Sequence, residues 1–82
     1  MIEDELMSPI EQAAVASTRG KVRKQLQQGV ESFEVRRQTE ERLSRRLADL
    51  AEDAPSRPGV LRAHALHQRA VEETIREWET ER

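Results

Sequence analysis

VRKQLQQGVESFEVRRQTEERLSRRLADLAEDA, residues 22–54, is the stretch whose reading decides the fold. Val22, Leu26, Phe33, Leu47, Leu50 and Ala54 follow one another at steps of three, four or their sums, with Val30 and Leu43 close beside them. Apolar residues at that spacing form one stripe on an α-helix. The stripe drifts as a repeat near 3.5 residues does, so it predicts left-handed supercoiling against a neighbour. Arg36, Arg37 and Glu40 interrupt its middle. A polar break of this kind either fixes register and partner or consists of long side chains snorkelling out at the edge of the seam.

Gly29 lies inside this stretch and Gly20 just ahead of it. Each weakens a helix interior by roughly 1 kcal/mol relative to Ala. Either one helix runs through both as a rod over 9–53, about 67 Å long at 1.5 Å per residue, or it breaks or kinks at Gly20 or Gly29. Val22, Leu26, Val30 and Phe33 stay in phase across Gly29, so the rod is the expected form.

Towards the N-terminus, Ser8-Pro9-Ile10-Glu11 is a helix start. Ser8 accepts from a free first-turn amide, Pro9 lacks an N–H that would have no partner there, and Glu11 completes a capping box. Residues 1–8 form an acidic lead, whose MIEDELM is unlike a basic signal peptide. The small residues between Gln12 and Thr18 allow a close neighbour. Towards the C-terminus, Pro55, Pro58 and Gly59 predict a turn over 54–59. A second helix is then expected over 60–79, with a frayed tail at 80–82. Val60, His64, His67, Val71, Ile75 and Trp78 make its inner stripe.

A second arm of about two dozen residues, about 36 Å long, shelters only the C-terminal half of a rod. The fold class expected is therefore all-α. It is a helical hairpin with a long first arm, assembling as a four-helix-bundle or coiled-coil-like dimer. The alternative is a monomeric three-helix bundle that turns near Gly29. The expected interface residues are Ile10, Val22, Leu26, Val30, Phe33, Leu43, Leu47, Leu50, Val60, Val71, Ile75 and Trp78.

Composition supports a thin core. The chain has 82 residues, of which 37% are charged, with one Phe, one Trp and no Tyr; the usual charged share is about a quarter. So small a chain is marginally stable alone. The absence of Cys removes disulfide scaffolds and thiolate metal sites. A net charge of −2 gives no global attraction to nucleic acid. No uncharged run approaches a membrane span, and a cytoplasmic protein without a cofactor is expected.

Three functional readings follow. The first is a non-enzymatic interaction module (adaptor, inhibitor, antitoxin-like or assembly factor) that presents an apolar helix face to a second copy or to another protein. No Gly-rich phosphate loop, nucleophile elbow or HExxH is present, and none of the serines has a partnered His in a triad order. The second reading is nucleic-acid binding through Arg36, Arg37, Arg42, Arg45 and Arg46. Interleaved acids, with Glu41–Arg45 and Arg45–Asp49 four apart, favour a solvated, salt-bridged face instead. Phe33 to Gln38 can also be read as an alternating strand followed by two helices. LADLAED with the following SRPGVLRA resembles the tail of the first helix and the start of the second in the dimeric ribbon-helix-helix regulators, which place a strand pair in the major groove. That strand would carry Arg37 and Thr39 where apolar residues belong. The third reading is a metal site at a dimer interface through His64 and His67, which stand three apart on one face. No carboxylate shares that stripe, and Glu40 on the other arm is the nearest conceivable third ligand. Two histidines lining an interface and hydrogen-bonding across it are the simpler reading.

Overall fold

Ser8 starts the first helix as its sequence requires. Its hydroxyl accepts from the Glu11 amide at 3.1 Å, and its own amide donates to the Glu11 carboxylate at 3.0 Å. The computed structural model describes residues 7–81. It contains α1 (Pro9–Gln27), α2 (Ser32–Ala48) and α3 (Arg57–Glu81). The all-α helical-bundle class is the one the sequence indicates. Among the described residues, no helix is long and apolar enough to cross a membrane.

The long first arm is divided. α1 closes at Gly29, whose φ is +93°, a conformation glycine adopts without a Cβ penalty. The Val30 amide donates to the Gln25 carbonyl at 3.0 Å and the Gly29 amide to the Leu26 carbonyl at 3.1 Å. Those two bonds make a Schellman closure with glycine just past the helix end. The chain then reverses, so the three-helix arrangement replaces the rod. Gly20 stays helical and exposed inside α1.

The break also resets the phase of the apolar stripe. Val35 and Thr39 turn inward on α2, whereas Phe33 is 67% exposed. Phe33 is thus not part of a continuous seam with Val30. Residues 33–38, read alternatively as a ribbon-helix-helix strand, lie within α2, so that strand does not form. The second turn covers 49–56 rather than 54–59, and α3 begins at Arg57. Thr80 and Glu81, expected to fray, continue α3; Glu81 receives both guanidinium nitrogens of Arg23 at 3.0 and 3.3 Å. The acidic lead up to residue 6 and the final residue lie outside the described residues.

The side-chain pairs fix the directions. Glu11 pairs with Arg62, Arg19 with Glu73 and Glu77, and Arg23 with Glu77 and Glu81. The numbers rise together, so α1 and α3 run parallel. Ser32 meets Glu79, Arg36 meets Glu72, and Glu40 meets Gln68, so α2 runs antiparallel to α3. α3 is thus the shared neighbour: α1 packs along it, α2 packs on it less extensively, and α1 and α2 barely touch. The result is a flat layer of 44 × 29 × 16 Å with a radius of gyration of 13.8 Å, against about 12 Å for a compact chain of this length.

The core sits at one end of this layer. Val22, Leu26, Val35, Ala70, Val71 and Ile75 are buried, with Val30 and Trp78 packed against them. Thr39 and Thr74 are buried too, each hydroxyl donating to the carbonyl four residues earlier. Apart from Val30 in the turn, all belong to the C-terminal half of α1, the N-terminal half of α2 and the C-terminal half of α3. Val22 and Leu26, which a straight rod would leave uncovered, are therefore sheltered within the chain. The need for a second copy to cover them disappears. At the other end, formed by 9–18, 42–48 and 57–67, no residue is buried, and Ile10 is 82% exposed.

A candidate docking groove

Because α1 and α2 diverge from their shared turn, a channel opens between them with α3 as its floor. Two connected depressions make it up. The outer one, about 350 Å³, lies at the end without a core, and Val15, Leu43, Val60, Ala63 and Leu66 give it an apolar lining. The inner one, about 340 Å³, runs back over Val22, Val35 and Val71 towards the Gly29 turn. Thr18, Arg42 and His67 border both. Volumes of this order hold several apolar side chains. The channel follows α1 from Glu11 to Gln28, about 25 Å at the helical rise.

The arginines divide sharply. Arg36 is bound to Glu72 at 2.8 Å. Arg37 is held by Glu34 at 2.6 Å and by Glu41 at 2.9 Å, which together raise its pKa above the ordinary arginine value. Arg45 pairs with Glu41 at 2.8 Å; Asp49 lies beyond the end of α2 and does not supply the second partner expected of it. All three are neutralised, Arg36 across to α3 and Arg37 and Arg45 within α2. Arg42 and Arg46 instead line the outer depression from α2, and Lys21 and Lys24 line the inner one from α1, with Arg42 bordering both. None of these four cations has an ion pair with a carboxylate among the described residues.

His67 sits where the two depressions meet. Its Nδ1 lies 3.1 Å from the Thr18 hydroxyl, and Arg42 donates to its Nε2 at 3.4 Å. A neutral ring with its proton on Nδ1 satisfies both contacts. Burial first, then the charges of Arg42, His64 and Lys21, hold its pKa below the ordinary 6.5. His64 lines the outer depression as well. The two histidines do share a face, but both nitrogens of His67 already have partners. Among the described residues no group of three His, Asp or Glu side chains is placed to hold a metal ion. Glu40 is engaged with Gln68 instead.

Of the expected interface residues, Val22, Leu26, Val71 and Ile75 lie in the core, and Val30 and Trp78 pack beside it. Leu43 and Val60 line the channel. Leu47 and Leu50 are half-buried, while Ile10 and Phe33 face outward. Thr18, Lys21, Lys24, Ala63 and Leu66 belong to the channel without having been singled out from sequence. One signal for the cations was present: Arg42 has Gln38 and Arg46 at its four-residue neighbours, with no acid at either, whereas Arg37 and Arg45 share Glu41. Comparisons with protein families, with curated proteins and with solved structures find no match to this chain.

Proposed function

We propose that this protein is a small, non-enzymatic interaction module that receives an amphipathic helix of a partner protein in the channel between α1 and α2. The observation that carries this reading is the uneven core: one end of the helical layer is closed, while the other leaves Val15, Leu43, Val60 and Leu66 around an open apolar depression. A helix laid into such a groove anchors through residues at i, i+3, i+4 and i+7. A channel of about 25 Å takes about 17 residues of helix. Placing the protein in the cytoplasm belongs to the same proposal. Among the described residues lining the channel, none combines a nucleophile with an oriented base: Thr18 and His67 are bonded to each other at 3.1 Å, but Arg42 occupies the ring's other nitrogen instead of a carboxylate.

A displayed library of helices with leucine fixed at the four anchor positions, selected against the immobilised protein, tests this. The control is Ala63→Trp, which plugs the outer depression from an exposed position. Selected helices are expected to bind the plugged variant at least roughly tenfold more weakly, since its indole occupies their anchor space, while its thermal midpoint stays unchanged. Failure to select any helix, or equal binding to the plugged variant, overturns the proposal.

A further inference from the structure

The channel has a sign as well as a shape. Lys21 and Lys24 stand three apart on α1, and Arg42 and Arg46 four apart on α2, so each pair lies on one helix face. The pairs are staggered along the channel: Arg42 and Arg46 edge its outer part on the α2 side, and Lys21 and Lys24 edge its inner part on the α1 side, where Arg42 also reaches. Elsewhere most of the described cations are matched: Arg19, Arg23, Arg36, Arg37, Arg45, Arg62 and Arg69 all reach glutamates, and only Arg57 and Arg76 among the described residues outside the channel do not. Building on the docking proposal above, we infer that the partner helix is acidic, with carboxylates along both edges of its apolar stripe facing Lys21 and Lys24 on one side and Arg42 and Arg46 on the other.

A second copy of this chain does not fit that description. Its glutamates on α1 and α3 are largely taken by the arginines just named. Glu40 and Glu79 accept from Gln68 and Ser32, and Asp49, Glu52 and Asp53 lie in a turn. No described helix therefore offers two free acidic margins. A two-fold dimer through the channel would also set the same four cations against themselves, and like charges facing each other across an interface oppose association. A nucleic-acid duplex would satisfy the cations but leave the apolar floor uncovered.

The test uses the full chain and a helix library in which the anchor positions are leucine and the flanking positions are drawn from Glu, Lys, Gln and Ser. Binders to the protein are expected to be enriched in Glu at both flanks. Their affinity should fall as salt rises from about 50 to about 500 mM, because exposed charges are screened over that range. The double variant R42E/R46E should lose roughly tenfold in affinity for them and select Lys on the flank facing α2. Binders that the Ala63→Trp plug excludes, but whose flanks show no preference for Glu, overturn the acidic assignment and leave the docking proposal standing. The absence of any plug-sensitive binder overturns both. Sedimentation showing self-association that Ala63→Trp abolishes makes a second copy the occupant. A mobility shift of duplex DNA at low salt that R42E/R46E abolishes assigns the margins to phosphate. Either result overturns the inference.

Discussion

Replacing Gly29 and Gly20 separately by alanine decides between a bent chain and a continuous rod, because the two architectures assign opposite signs to the first change. At Gly29 an added Cβ meets nothing within 4 Å, so no collision enters the balance. What remains is the backbone, with φ at +93°. Holding an L-residue in the left-handed region is unfavourable by about 1–2 kcal/mol. The less flexible unfolded chain offsets about 0.4–1 kcal/mol of that, leaving a net loss near 1 kcal/mol. At Gly20 the added Cβ also meets nothing within 4 Å, and the residue is an exposed helix interior position. Alanine there is expected to stabilise by about 0.5–1 kcal/mol. The two variants should therefore differ by about 1.5–2 kcal/mol, or about 10 °C in thermal midpoint for a domain of this size. Urea and thermal unfolding followed by far-UV circular dichroism measure this directly. The sites are far enough apart that the double variant should show the sum of the two effects. If Gly29→Ala stabilises the protein as much as Gly20→Ala does, the helix passes through Gly29 and the bundle described above is refuted.

Ile75→Ala removes a fully buried side chain from a small core and should cost about 2–5 kcal/mol in equilibrium unfolding, whereas Phe33→Ala should change stability by less than about 0.5 kcal/mol. Ser8→Ala deletes one half of the capping box and should cost about 1 kcal/mol. Glu11, whose pKa is held at about 2 by its bond to Arg62 and by the Ser8 amide, should contribute stability above pH 4.5 that is lost as pH falls towards 2; Glu11→Gln should flatten that part of the stability–pH curve. His67 binds protons more weakly in the folded chain than the ordinary 6.5 implies. The unfolded state therefore holds more protons just below pH 6.5, and stability should fall as pH drops through that value. Arg42→Gln and Lys21→Gln should each raise the His67 midpoint in an NMR titration.

What the sequence made legible was local. Ser8, Pro9 and Glu11 announce the first helix because their bonds span three residues, and the Pro55–Gly59 cluster announces the reversal before α3. The shared Glu41 likewise marks Arg37 and Arg45 as neutralised. Gly29 was legible as one of two candidates but not as the break itself, since the phase of Val22, Leu26, Val30 and Phe33 continues across it. Only the exchange of bonds among Gln25, Leu26, Gly29 and Val30 distinguishes a Schellman closure from a helix passing through glycine. Phe33 shows the consequence. Once the helix restarts at Ser32, a residue two positions before Val35 points nearly opposite to it, so the largest apolar side chain of the stretch is exposed and a valine takes its place.

The channel was not legible because it results from where the core stops, and that is a property of three helices together. The buried residues of α1, α2 and α3 all lie near the Gly29 turn, where the tight connection holds α1 and α2 at their closest. Beyond it α3 carries His64 and His67 on its inner stripe in place of large apolar side chains. α1 carries Ala14 and Thr18, and α2 carries Arg42 and Arg46. Small and polar residues at those positions do not draw the helices together, since they offer little apolar area to bury. The same substitutions that deny the bundle a core at this end supply a floor that is still apolar and margins that are positive. A sequence selected only for a closed bundle would place leucine or isoleucine at His67 and Arg42; a leucine pair there, introduced as His67→Leu with Arg42→Leu, should raise the thermal midpoint while abolishing binding of the selected helices. If the double variant is stabilised and binds those helices as before, the open end is a packing defect rather than a receptor.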